Sequence, residues 1–446
     1  MTDYKGVHGN VFYRRMAHAR PMISHSEGVY LYDTQGKRYL DASGGPVLMN
    51  IGHGLAEVAE AMADQAKIAP YVHATMFTSQ PLEDYSTALA ELVPLDKPRF
   101  FYLSSGSEAV EAAMKFARQL QVERGETGRY LIISRWQSYH GTTLGALATS
   151  GRPGLRQLYR PMMQQTPHIA PPYCYRCPLN LEYPSCDLRC ARNLEYTIKI
   201  NGKETIAAFI AEPISGSGLA AVVPPPEYWP IIRDICNQYQ ILLIADEVMT
   251  GFGRTGAWFG IQHWGVEPDI MTMAKGAGGG YFPLSMIAVK TSDVQTIRAG
   301  RGDFSHGGTF SHHPVGLATG LAVLRYLQQH NLVEAARVQG EKLGRKLHSA
   351  FGEHPHVGDI RGRGLMWGLE FVADRPTKQP FPSELNLARQ LGDAAFERGL
   401  IVYPSHGNID GLWGDQVMVA PPFIITDEQL DDIVGLLEES LNAVLA

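Results

Sequence analysis

Apolar residues fall along this chain in two rhythms. Short unbroken runs occur at 100–103 (FFYL), 130–134 (YLIIS), 206–211 (IAAFIA), 241–245 (ILLIA), 269–274 (DIMTMA) and 284–289 (LSMIAV). Such runs mark strands buried on both faces of a sheet. Between and after them the spacing changes to three and four, which predicts helices over 56–68, 79–92, 107–118, 228–239, 315–328, 333–351, 384–398 and 427–444. Strand and helix alternate from 100 to 275, the rhythm of a parallel sheet covered on both faces. The first 60 residues hold a β-hairpin around Gly36 and a glycine-rich loop, 43–54. Beyond about 325 the elements form a separate α+β lobe, with strands at 359–371, 400–403 and 416–420. The domains are therefore expected at 1–60, 61–325 and 326–446.

The polar residues that end the strands carry the chemistry. The run at 241–245 stops at Asp246 and Glu247, at the carboxyl end where open α/β sheets place their ligands. The run at 269–274 delivers Lys275, followed by Gly276, Gly278, Gly279 and Gly280. A carboxylate that keeps a ring nitrogen protonated and a lysine that forms an imine are the pair pyridoxal phosphate requires. After 100–103 a Ser/Gly turn runs straight into a helix, so backbone N–H groups near Gly106 and Ser107 are candidates to cradle a phosphate. A plain serine N-cap reads the same. Tyr139 lies just past the strand at 130–134 and has a face on which a planar cofactor can stack. Glu212 closes the run at 206–211.

Composition narrows the classes. With 446 residues, 45% of them apolar and 19% charged, the chain can bury a large core. A net charge of −6 gives no reason to expect nucleic acid or an anionic membrane as partner. No apolar stretch approaches ~20 residues and the N-terminus lacks a secretory core, so a cytoplasmic protein is expected. Four of five cysteines crowd into one segment as C-x2-C-x8-C-x3-C: Cys174, Cys177, Cys186 and Cys190. The pattern suits zinc or an iron–sulfur cluster, a pair of local disulfides, or a reduced loop. No metal enters the reading of the chemistry.

The ordered motifs YDTQGKRYLDASGG, IGHG, SSGSEAVEAAMKFAR, SYHG, AEPISG, ADEVMTGFGRTG, MAKGAGGGYFPL, HGGTFSHHP, GDIRGRGLMWGLEF and APPF run nearly end to end. In them the chain resembles the class III pyridoxal-phosphate aminotransferases, enzymes of ω-amino acids, amines, ornithine and 4-aminobutyrate. The resemblance implies fold type I: a large domain with a mostly parallel seven-stranded sheet, and a smaller α+β domain from the N-terminal segment and the C-terminal lobe. It implies that Lys275 holds the cofactor and shuttles a proton, that Asp246 pairs with the pyridine nitrogen, and that Tyr139 and Val248 sandwich the ring. It places Gly106 and Ser107 on the phosphate, with Thr309 reaching it from the other subunit of a homodimer, or of a dimer of dimers.

One departure bears on substrate. In the family Glu212 commonly pairs with a mobile arginine of the C-terminal lobe that clamps a carboxylate, yet from Gly399 onward this chain has no Arg and no Lys. Either His406 or an arginine from elsewhere, Arg152 being one candidate, takes that place, or recognition is looser. The expected reaction moves an amino group from an amine or ω-amino acid to a small keto acid, pyruvate first, by a ping-pong mechanism. The alternatives are a racemase, decarboxylase or aminomutase of the same fold, or a non-catalytic scaffold whose cysteine segment binds metal or a partner.

Overall fold

The computed structural model describes residues 10–15 and 20–446, so the N-terminal segment expected over 1–60 lies in part outside the described residues. Its centre is a seven-stranded sheet. In spatial order the strands are β4 (Pro98–Leu103), β10 (Ser285–Lys290), β9 (Ile270–Met273), β8 (Leu242–Asp246), β7 (Ile206–Ala211), β5 (Leu131–Arg135) and β6 (His168–Ile169). All run parallel except β10, which is antiparallel to both its neighbours. The inner strands β7, β8 and β9 are buried at every position, which is why they read as unbroken apolar runs and not as alternation. Helix Gly106–Glu123 packs its Ala109, Ala112, Ala113, Phe116 and Leu120 face onto one side of the sheet. Helix Tyr228–Tyr239 covers the other side with Trp229 and Ile232.

Two smaller sheets flank this core. The first is β1 (Ile23–Glu27), β2 (Tyr30–Asp33) and β3 (Arg38–Asp41), closed by β13 (Leu400–Ile401) parallel to β3. The second is β11 (Val357–Gly362), β12 (Trp367–Phe371), β15 (Asp415–Val419) and β14 (Tyr403–His406). The strand expected over 400–403 is thus two strands in two different sheets. Val402 separates them, and Pro404, which has no N–H to give, is tolerated because β14 is an edge strand. The helix expected from 384 begins only at Leu387, after Asn386 takes a left-handed turn at φ 47°. Helices Ala56–Ile68 and Gln80–Ala90 both pack against Pro314–Gln329, and Leu332–Phe351 packs against Asp427–Leu445. Among the described residues no helix is long and apolar enough to cross a membrane.

All six parallel strands end at one edge of the sheet. Leu103, Arg135, Ala211, Asp246 and Met273 therefore hand their following residues to a single crevice.

Candidate active site

β8 ends in two adjacent carboxylates that point opposite ways, as successive strand residues do. Asp246, 3% exposed, meets His140 Nδ1 at 2.6 Å through Oδ2. Its Oδ1 accepts from the Val248 N–H (3.1 Å) and the Thr272 hydroxyl (3.0 Å). Glu247 faces away from the crevice and accepts from the Thr250 hydroxyl (2.5 Å) and from the N–H groups of Gly260 (2.8 Å) and Ile261 (2.7 Å). Burial pushes its carboxyl up to about 7 against those three hydrogen bonds. Glu247 pins the turn Gly260–Trp264, and only Asp246 lines the crevice.

Lys275 follows β9 at φ +46°, a left-handed position that few residues with a side chain adopt. Burial pulls its amine down to about 8, opposed by Asp246 and Glu212 and aided by Arg254. A neutral amine is what attacks a carbonyl, so this setting favours its chemistry near neutral pH.

Glu212, just past β7, accepts from the Gly216 N–H at 3.0 Å through Oε1. Its Oε2 stands 4.0 Å from Arg135 Nη2 and has no hydrogen bond among the described residues. Burial raises its carboxyl, while His140 and Arg135 pull it back. Ser105 caps the helix Gly106–Glu123, accepting from the Glu108 N–H at 3.3 Å. Ser107 Oγ accepts from the Thr142 N–H (3.1 Å), leaving its own proton for an anion. A Cβ on Gly106 would stand 3.1 Å from Val248 Cγ1, inside the crevice.

One cavity of about 360 Å³ joins Gly106, Ser107, Tyr139, Glu212, Asp246, Val248 and Lys275. Seven of the eight expected residues therefore meet. Thr309 does not line it and stands exposed in a turn of the same chain. The set fits pyridoxal phosphate: a buried amine, a pinned carboxylate, a tyrosine and a helix start on one small space. Leu48, Met249, Phe282 and Leu284 complete the walls with apolar surface.

Two residues had escaped the sequence reading. His140 orients Asp246 and shares its Nε2 with Ser134 Oγ at 3.1 Å. Its only signal was a place beside Tyr139 in SYHG. Arg254, 2% exposed, donates to the carbonyls of Leu365 (2.9 Å), Pro421 (2.7 Å) and Met49 (3.0 Å) and so ties three distant segments behind the site. At the rim, Gly151 pairs with the 137–138 backbone in both directions (2.8 and 3.0 Å). A Cβ there would lie 2.1 Å from the Arg135 carbonyl oxygen, so only glycine allows the approach. The next residue, Arg152, is thereby held near Tyr139 and donates to Ser405 Oγ (3.3 Å) and the His406 carbonyl (3.2 Å). Burial and Tyr403 raise the Tyr139 phenol, and Arg14 and Arg152 lower it. His406 is engaged elsewhere, with Asp415 at 3.0 Å.

The aminotransferase class-III family model matches residues 12–441. An uncharacterized aminotransferase of Bacillus subtilis, YodT, is 41% identical over 430 residues, 96% of either chain. The putrescine–pyruvate aminotransferase of Pseudomonas aeruginosa is 34% identical over 450 residues, covering 100% of this chain and 94% of its own. The solved omega transaminase of Pseudomonas jessenii in complex with PMP superposes with a TM-score of 0.92 at 33% identity, over 100% of this chain and 98% of the other. With its motifs, its fold and its crevice in agreement, the chain belongs to the class III aminotransferases, pyridoxal-phosphate enzymes that pass an amino group between an amine and a keto acid.

Proposed function

We propose that this enzyme takes an amino group from an amine or ω-amino acid and gives it to a small keto acid, pyruvate first, in a ping-pong cycle. The observation that carries the reading is the meeting of Lys275 and the pinned Asp246 on one cavity with largely apolar further walls. Such walls suit the carbon skeleton of an amine. The absence of Arg and Lys after Gly399 leaves no cation of that segment waiting for an acid group on the donor. The relative from Pseudomonas aeruginosa, named for putrescine and pyruvate, adds a precedent.

Bound in the crevice, pyridoxal phosphate supplies the electron sink that labilises the proton next to the substrate nitrogen. This chain does the rest. Asp246, kept in line by His140 and Thr272, would hold positive charge on the pyridine nitrogen. Lys275 Nζ would hold the cofactor and, once free, would be the base placed to take the substrate proton and give it back. Tyr139 and Val248, which line the same cavity, would bracket the ring, and Gly106 and Ser107 would hold the phosphate. Thr309 joins them from a partner subunit, which makes the working form a homodimer. Exposed Tyr71, Met76, Phe77 and Phe310 offer apolar surface for that contact. The same reading keeps the enzyme cytoplasmic and divides it at 60 and 325.

Arg152 receives the carboxylate of the keto acid. It lies near Tyr139 and Glu212, and among the described residues it has no carboxylate ion pair of its own, whereas His406 is committed to Asp415. The test uses purified enzyme with putrescine, β-alanine or glutamate as donor and pyruvate as acceptor. Alanine must form fastest from the donors without an α-carboxylate. Arg152→Ala must raise the apparent KM for pyruvate about tenfold, roughly 1.4 kcal/mol of lost binding, while the donor half-reaction keeps its rate. Activity confined to glutamate, or an unchanged KM, would sink the respective part. Reaction of a donor without any keto acid over many turnovers would instead favour a racemase or decarboxylase.

A further inference from the structure

The four crowded cysteines, Cys174, Cys177, Cys186 and Cys190, are free thiols, and among the described residues no three His, Cys, Asp or Glu side chains are placed to hold a metal ion. The group still without a task lies in the active cavity. Glu212 lines that cavity with Lys275 and Asp246 and is 5% exposed. Its Oε1 has one of two lone pairs filled, by the Gly216 N–H at 3.0 Å. Its Oε2 is buried and, among the described residues, accepts from no donor. An unmet oxygen on a buried carboxylate is costly, so a partner is due.

The chain brings cations near this oxygen, and each is engaged elsewhere. Arg135 comes within 4.0 Å and is pinned there: its Nη2 donates to the Glu212 carbonyl at 2.6 Å, and its guanidinium lies 5.9 and 5.8 Å from the ring centres of Tyr228 and Trp229. Arg152 is held by Ser405 and the His406 carbonyl. His140 is shared between Asp246 and Ser134. Lys275 is reserved for the cofactor, and from Gly399 onward the chain has no Arg and no Lys. What is left to meet Glu212 is the occupant of the cavity.

An occupant with a positive charge fits. Against the rise that burial causes, His140 and Arg135 favour the ionised form of Glu212, so the carboxyl can face the cavity as an anion. The terminal torsion of a glutamate is broad, and the 4.0 Å gap to Arg135 leaves slack for the carboxylate to turn toward a cation. The reacting nitrogen of the donor is taken up beside Lys275. The charge that meets Glu212 therefore sits on a second nitrogen, farther along the carbon chain.

We propose that Glu212 receives the second ammonium group of the donor, and that the donors of this enzyme are α,ω-diamines. The inference rests on the amine-donor reading above and narrows it, since an ω-amino acid would bring its carboxylate against Glu212. Arg152 then reads the acid group of the acceptor and Glu212 the cation of the donor, so the two half-reactions are told apart by charge. The diamine gives one amino group to the keto acid and leaves as an amino aldehyde. The keto acid leaves as an amino acid, and no outside oxidant takes part.

The test uses the cofactor-loaded enzyme without keto acid and follows loss of the imine absorption by stopped flow against donor concentration, which yields both a rate and an apparent Kd. Butane-1,4-diamine, pentan-1-amine and 5-aminopentanoate have tails of nearly one length that are positive, neutral and negative. The diamine must bleach at least about tenfold more efficiently than pentan-1-amine, with the gain in apparent Kd. In Glu212→Gln that ratio must fall to within about twofold of unity, whatever happens to the absolute rates. Should the variant not fold, N-acetylbutane-1,4-diamine, whose second nitrogen is neutral, must drop to the level of pentan-1-amine with the wild-type enzyme. Equal efficiency for diamine and alkylamine, a ratio unchanged by Glu212→Gln, or fastest bleaching by 5-aminopentanoate would overturn the proposal while leaving amine transfer in place. Bleaching by glutamate alone would sink the amine-donor reading and this inference with it.

Discussion

The floor and the rim of the crevice are built by different means. On the floor, Asp246, His140, Thr272 and Glu247 each have their polar atoms met at 2.5 to 3.1 Å by groups on the central sheet or the turns at its edge. At the rim, Arg152 bridges from the large sheet to Ser405 and His406 by longer contacts of 3.2 to 3.3 Å, and Glu212 leaves one oxygen unmet. A floor set by a parallel sheet is preorganised for the bond-breaking step common to all substrates. A rim shared between segments 253 residues apart is where substrate choice is adjusted.

That contrast breaks first at Lys275. Replacing it with Ala removes the only side-chain amine that lines the cavity among the described residues and should cut turnover with any donor by about a thousandfold or more, as stopped-flow measurement of the donor half-reaction will show. A loss that depended on the donor would place Lys275 on the rim instead. Arg254→Ala comes next and acts on folding: it strands three buried carbonyls, and at about 1 to 3 kcal/mol each the chain should lose several kcal/mol, seen in urea melts. His140→Ala should lower kcat about tenfold for every donor alike, because Asp246 keeps its other two hydrogen bonds. A change in donor preference would erase the distinction between floor and rim.

The smallest effect is one of pH. With the Lys275 amine pulled down to about 8, about a tenth of it is neutral at pH 7. Cofactor-free protein should therefore recombine with pyridoxal phosphate faster as pH rises from 6, levelling off above about 8. A rate still climbing steeply past pH 10 would mean that the amine is solvated.

The floor was legible in the sequence because its parts are local. An unbroken apolar run names a buried strand, and the first polar residue after it names the ligand, as with Asp246 and Lys275. Glu247 was legible as a strand-end carboxylate but not in its direction, which depends on where the backbone leaves the sheet. His140 and Arg254 were quoted inside motifs without a role, since their partners lie 106 and up to 205 residues away. The rim was least legible. Stretch 400–403 reads as one strand, yet the two sheets that divide it are formed by chain segments far apart in sequence.

That shared stretch has a mechanical consequence. Leu400 and Ile401 are riveted to the sheet of the N-terminal residues, and one residue later Tyr403 to His406 are laced into the C-terminal sheet. The two sheets are coupled in series, like a cross-brace with no slack. Whatever pulls on the N-terminal strands is felt at Ser405 and His406, the acceptors of Arg152, so the mouth of the enzyme cannot widen without the beginning of its own chain moving too.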